Sequence, residues 1–384
     1  MNVAAYLRLQ SREFGNKLAI IDGNKETTYT RLEEVSNQVA NWLKDTGVKP
    51  GERAVVYLPN CTEYLFFIHG MYKAGVVAIP LNYRFQKEEL KYVFSDSGAS
   101  VVVTLKQHEK VMSELKAEGA AIRQIALTDS TDRDAANICL QEIIDKYPAE
   151  TEIYTALDSE LGMLMYTSGT TGKPKGVKQT HRNIVTGGEC LAYPNHVNSS
   201  DRFFCIAPLF HVGGIISTIC VMRTGGVVVF SPAGWNPVGF LETVEKHKVT
   251  WAFLVGLMGA QLAMVEDLGK YDLSSLRHVI FGGSPIPAAM YAKFEARYQC
   301  KTFELYGRTE HVGPSILYDV TDKRVPGSVG KMVGQTIKGK LIDPVTGREV
   351  AVGEPGELVV MGDNQTPGYW NKPEENAKLL TADG

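Results

Sequence analysis

At 384 residues the chain exceeds what one hydrophobic core usually supports, so several packed subregions are expected. Its 44% hydrophobic and 22% charged residues exclude a disordered or fibrous protein, and a net charge of −3 with scattered basic residues leaves no footprint for nucleic acid. Residues 1–8 do not read as a secretory signal, and the most apolar segment, 212–222, is broken by Gly213, Gly214, Ser217 and Thr218 and is too short to span a bilayer. Six cysteines without a CxxC pair indicate neither a zinc site nor a disulfide framework, which fits a reducing cytoplasm.

In chain order, Thr30 followed by Glu33 reads as a capping box opening a helix whose one face carries Leu32, Val35, Val39, Trp42 and Leu43. Strand-like runs at 54–58, 76–80 and 99–104 alternate with helical segments at 63–74 and 88–94, a rhythm that implies a mainly parallel sheet with helices on its faces. A polar stretch, 129–160, separates this block from a second one, with strands expected at 202–206, 227–230, 251–255 and 278–281 and helices at 237–247 and 288–297. After Gly327 the pattern changes to short strands at 340–342, 348–350 and 357–361 divided by turns. The expected fold class is α/β, with two βαβ-type sheets and flanking helices, divided at about 1–160 and 161–326, and a small β-rich region over 327–384.

The run Thr167, Ser168, Gly169, Thr170, Thr171, Gly172, Lys173, Pro174, Lys175, Gly176 follows the apolar segment 161–166. Its glycines allow tight turns with inward N–H groups, its hydroxyls add donors, and its lysines add positive charge, an inventory that suits a polyphosphate. It is neither a Walker A loop nor a GxGxxG fingerprint, and by composition alone it also reads as an ordinary surface loop. Downstream, Tyr306 has the face to stack on a purine, Thr309 a hydroxyl for phosphate, and Glu310 a hard carboxylate oxygen for Mg²⁺.

Residues 166–177 together resemble the signature of the adenylate-forming superfamily, which includes acyl-CoA and aryl-CoA synthetases. Residues 208–214 around His211, the Gly282-Gly283-Ser284-Pro285 turn, Glu304 to Glu310, and 368–374 are similar to its later motifs. The resemblance implies an acyl-CoA synthetase-like N-terminal domain whose β-rich subdomain is barrel-like. It assigns ATP and the adenylate to Thr167, Ser168, Gly169, Thr170, Thr171, Gly172, Lys175, Gly282, Gly283, Ser284, Glu304, Leu305, Tyr306, Gly307 and Thr309. The acid falls to His211, Val212, Gly213, Gly283, Ser284 and Gly307, and the metal to Thr167 and Glu310. Lys175, His211, Thr309 and Glu310 are the expected catalytic residues.

The implied reaction joins a small-molecule carboxylic acid to AMP with release of pyrophosphate, then transfers the acyl group to coenzyme A, with ATP and Mg²⁺ required. The absence of an acid in 208–214 argues against an amino acid substrate. A fatty acid is the first expectation, an aromatic acid the second, and a non-catalytic nucleotide- or acyl-binding module the alternative from another class. The family's lysine-bearing C-terminal domain has no counterpart in the sequence, so little or no turnover is expected of this chain by itself. A homodimer is left open, as is the role of Arg308.

Overall fold

The computed structural model describes residues 3–132, 137–167, 172–231, 233–284 and 286–381. Two large sheets organise it. In the seven-stranded sheet, Ile138–Cys139, Gln124–Leu127, Val101–Thr104, Arg53–Tyr57, Val77–Pro80 and Leu161–Thr167 run parallel, and Lys175–Thr180 closes the edge antiparallel to Leu161–Thr167. In the nine-stranded sheet, Lys301–Arg308, His278–Phe281, Trp251–Leu254, Arg202–Cys205, Val227–Phe230 and Leu18–Asp22 are parallel in that order. Lys25–Thr28 flanks one edge; Gly313–Leu317 and Lys331–Met332 extend the other, each antiparallel to its neighbour.

Consecutive side chains of these strands point to opposite faces, and the core divides accordingly. Ile20, Val228, Val101 and Val103 join a central apolar cluster with the helices Tyr29–Asp45, Thr62–Ala74, His181–Ala192 and Val212–Arg223. Ile21 and Val229 face an outer cluster under Pro237–His247 and Ala288–Tyr298, and Val102 faces another under Lys87–Ser97 and Glu109–Ala117. The result is a helix layer shared between two sheets, each sheet covered again on its far side. Strands buried on both faces need the continuous Val, Ile and Phe runs seen here.

Three local expectations change. The helix opened by Thr30 in the sequence reading begins at Tyr29, and its N-cap is Thr28, whose hydroxyl accepts from Arg31 N at 3.2 Å. Glu33 is drawn instead to Arg8 Nε at 3.1 Å and to the buried ammonium of Lys73 at 2.6 Å, so long-range charge outweighs the local cap. The polar stretch 129–160 contains the strand Ile138–Cys139 and the helix Leu140–Lys146, which buries Leu140 and Ile143 and packs Ile144 against the central cluster. In the tail, Lys338–Ile342 and Glu357–Met361 pair as a two-stranded antiparallel sheet, residues 348–350 contribute a single bridge between Ile342 and Glu349, and the helix Pro373–Leu379 follows. No described helix is long and apolar enough to cross a membrane.

Candidate active site

The phosphate-loop segment joins two paired strands, with Thr167 opposite Lys175 in the ladder. Ser168, Gly169, Thr170 and Thr171 lie outside the described residues. Thr167 and Lys175 therefore stand together at the mouth of a hairpin on the edge of the seven-stranded sheet. Lys175 is mostly covered; its ammonium pairs with Glu375 and sits 5.2 Å from the centre of the Tyr369 ring.

Across from the hairpin, the strand Lys301–Arg308 carries Glu304, Leu305, Tyr306 and Gly307 and ends in a single 3₁₀ turn, Thr309–His311. Gln179 of the hairpin donates to the Thr309 carbonyl at 3.3 Å, which ties the turn to the phosphate-loop hairpin. Glu310 accepts a 2.6 Å hydrogen bond from the Tyr369 hydroxyl on Oε1, leaving Oε2 without a protein donor among the described residues. His311 is buried, and burial, aided by the neighbouring Arg308 charge, lowers its pKa to about 4. Its neutral ring lies 3.3 Å from the Arg308 guanidinium at Nε2 and 2.8 Å from Ser315 Oγ at Nδ1. Because guanidinium only donates, Nε2 is the acceptor and Nδ1–H donates to Ser315. Arg308, undecided from sequence, thus has an exposed side chain that braces this turn.

Beside these groups lies a cavity of about 370 Å³, within the usual range for small-molecule sites. His211, Val212, Gly213, Gly283, Leu305 and Gly307 line it together with Ile216, Ser217, Phe253 and Met258. Ser284 and the Glu304, Tyr306 and Thr309 side chains are not part of this wall. His211 precedes the helix Val212–Arg223 as its N-cap, and burial lowers its pKa, so it faces the cavity as a neutral imidazole. Phe253 is seated tightly: a β-carbon on Gly213 would lie 2.7 Å from its ring and one on Gly282 would lie 2.9 Å away. No lysine, arginine, aspartate or glutamate among the described residues lines the cavity.

In sequence, Tyr369 has no role beyond membership of the 368–374 motif, Phe253 stands only within the apolar run 251–264 that suggests an acyl pocket, and nothing points to Glu375. The GYW segment was visible, but a tyrosine's contact with a carboxylate 59 positions away has no local signature.

A family model described as AMP-binding enzyme matches residues 7–370. A feruloyl-CoA synthase from Amycolatopsis sp is 32% identical over 369 residues, covering 94% of this chain and 70% of that protein. A 4-coumarate-CoA ligase 1 from Narcissus pseudonarcissus is 30% identical over 389 residues, covering 97% and 69%. Among solved structures, an anthranilate CoA ligase in complex with anthranoyl-AMP superposes with a TM-score of 0.92 at 24% identity, over 100% of this chain and 76% of that one. ATP-bound MatB from Rhodopseudomonas palustris gives 0.90 at 25% identity, over 100% and 75%.

Proposed function

This chain belongs to the AMP-binding enzyme family, its relatives being adenylate-forming acid–CoA ligases, and from that premise we propose that it activates an aromatic monocarboxylic acid with no further charged group for transfer to coenzyme A. The observation that carries the reading is the apolar cavity lined by His211, Gly283 and Gly307, with Gly307 three residues ahead of Glu310 where the strand passes into its turn. The acid's carboxylate would lie at the cavity mouth and attack the α-phosphate of ATP, forming acyl-AMP as pyrophosphate departs. The thiol of coenzyme A would then attack the acyl carbon and expel AMP.

Phosphoryl transfer of this type depends on positioning and on neutralising charge. Thr167 and Lys175, at the mouth of the hairpin, suit the polyphosphate. Glu310 suits Mg²⁺: this ion is commonly held through one or two carboxylates with phosphates supplying further oxygens, and Oε2 is available for it. The ion would offset charge on the departing pyrophosphate. With His211 neutral, no cation and no acid among the described residues lines the cavity, so a second carboxylate or an amine on the substrate finds no partner among them.

The fatty acid placed first from sequence yields to an aromatic acid. Similar relatives are named for feruloyl and 4-coumarate, and Phe253 supplies an aromatic wall for a planar ring. Acid-dependent ATP–pyrophosphate exchange, measured with the family's lysine-bearing C-terminal domain present, tests the reading across cinnamic, benzoic, fatty and dicarboxylic acids. Exchange greatest with the aromatic monocarboxylates is expected; preference for a fatty acid or a dicarboxylate would overturn it.

A further inference from the structure

We propose that Tyr369 is a positioning residue that holds the phosphate-loop cation Lys175 and the carboxylate of Glu310 apart, its ring facing one and its hydroxyl bound to the other. The inference rests on the adenylation reading above and concerns a residue whose motif shows no chemistry of its own in sequence.

Lys175 and Glu310 carry opposite charges in one partly buried site, where attraction is stronger than in water. Direct pairing would neutralise both, and each phosphate or metal contact would first have to break that pair. No ion pair within 4 Å joins them. Tyr369 is bound to both instead: its hydroxyl donates to Glu310 Oε1 at 2.6 Å, and Lys175 Nζ lies 5.2 Å from its ring centre, within range of a cation–π contact. The second partner of Lys175, Glu375, is partly exposed, and such pairs contribute little, so phosphate can replace it readily. Burial, followed by the bond to Glu310, raises the phenol pKa, so the hydroxyl stays a donor.

The backbone fixes the ring from several sides. Trp370 N donates to Gly176 O at 2.7 Å and Lys178 N to Gly368 O at 3.1 Å, so Tyr369 is bridged to Val177, two residues from Lys175. Asn376 grips the same residue, accepting from Tyr369 N at 2.6 Å and donating to its carbonyl at 3.1 Å. Gly368, at φ +113°, adopts a conformation open to glycine, and a β-carbon there would lie 2.7 Å from Asn376 Oδ1. On the Glu310 side, Thr366 N donates to the Glu310 carbonyl at 2.8 Å. One short segment therefore holds the strand that begins at Lys175 and the turn that carries Glu310.

Calorimetric titration of ATP, with and without MgCl₂, tests the proposal on the wild type, Tyr369→Phe, Tyr369→Leu and the double variant Tyr369→Leu/Glu310→Gln. The phenylalanine variant keeps the spacer and should retain magnesium-free affinity within about 3-fold, while the magnesium concentration for half-maximal binding rises on the order of 10-fold, as expected for a lost hydrogen bond to a charged group. The leucine variant lets Lys175 reach Glu310 and should lose about 10-fold or more in magnesium-free affinity as well. Adding Glu310→Gln removes the partner of that collapse and should restore magnesium-free binding, a recovery that a purely structural role would not produce. Unchanged constants in a folded Tyr369→Leu protein, or no recovery in the double variant, would overturn the spacer. Should the leucine variants fail to fold, an unaltered magnesium requirement in Tyr369→Phe decides against it. A wild type that binds no ATP would instead count against the adenylation reading.

Discussion

Gly187 and Val312 approach so closely that a β-carbon on Gly187 would stand 1.8 Å from the Val312 carbonyl oxygen. Gly187 lies in the helix His181–Ala192, and Val312 follows the turn that bears Glu310. Val312 is itself fully buried at φ +46°, a backbone conformation unfavourable to a β-branched residue. The helix therefore presses on a strained point one residue beyond His311.

Gly187→Ala cannot be accommodated by a side-chain rotation, since the obstacle is backbone. A loss of at least about 1–3 kcal/mol is expected, as for overpacked cores, together with weakened nucleotide binding through displacement of Glu310. Chemical denaturation and ATP titration check it; wild-type values in both would refute the coupling.

Lys175→Ala and Glu310→Ala should each reduce acid-dependent pyrophosphate exchange on the order of 10²–10³-fold, the range for removing one preorganised charge-stabilising group. Both side chains are only partly buried, so melting temperatures should move little. Activity near that of the wild type in either variant would remove that residue from the site.

Gly213→Ala would set a methyl group 2.7 Å from the Phe253 ring, which must then shift relative to the cavity wall. Discrimination by about one methylene in an apolar pocket is typically about 10–200-fold. Bulky aromatic acids should lose kcat/KM within that range, whereas benzoic acid should lose less. Equal losses across the panel would show that the ring does not set the available width.

Much of this was readable in advance, and what was not has a physical cause. The parallel strands were legible because burial on both faces demands unbroken apolar runs, as at 101–104 and 227–230. The phosphate loop and Glu310 were legible because their chemistry is written in consecutive residues. The helix start was misread because Thr30–Glu33 satisfies the local capping pattern while Glu33 is claimed by Arg8 and Lys73 from elsewhere in the chain. Glu375 pairs with a lysine 200 positions away, and only tertiary structure brings them together.

Lys73 is fully buried, its ammonium bonded to Glu33 Oε2 at 2.6 Å, Ser36 Oγ at 2.6 Å and Asn37 Oδ1 at 2.7 Å. Lys73→Ala strands these acceptors between two helices and should cost about 3–5 kcal/mol in urea denaturation. A cost below about 1 kcal/mol would mean that water replaces the ammonium without penalty.

Acid should destabilise the fold before the carboxylates titrate. Burial lowers the pKa of His69 and His278 to about 3 and of His181 and His311 to about 4. Between pH 6.5 and about 4 the unfolded chain therefore binds more protons than the folded one, and stability falls as pH drops, by up to about 1.4 kcal/mol per pH unit for each such histidine. Thermal melts from pH 7.5 to 4.5 should decline steadily below pH 6.5; a flat profile to pH 5 would contradict it.

The strand Leu18–Asp22 gains its parallel neighbour only when Val227–Phe230 arrives, about 200 residues later, which at typical synthesis rates of about 5–20 residues per second means about 10–40 s on the ribosome. During that interval the N-terminal hairpin exposes an apolar edge containing Ala19, Ile20 and Ile21. The nascent chain thus has a long window in which this edge needs protection from association, and slowing translation upstream of residue 227 should raise aggregation more than the same delay placed after it.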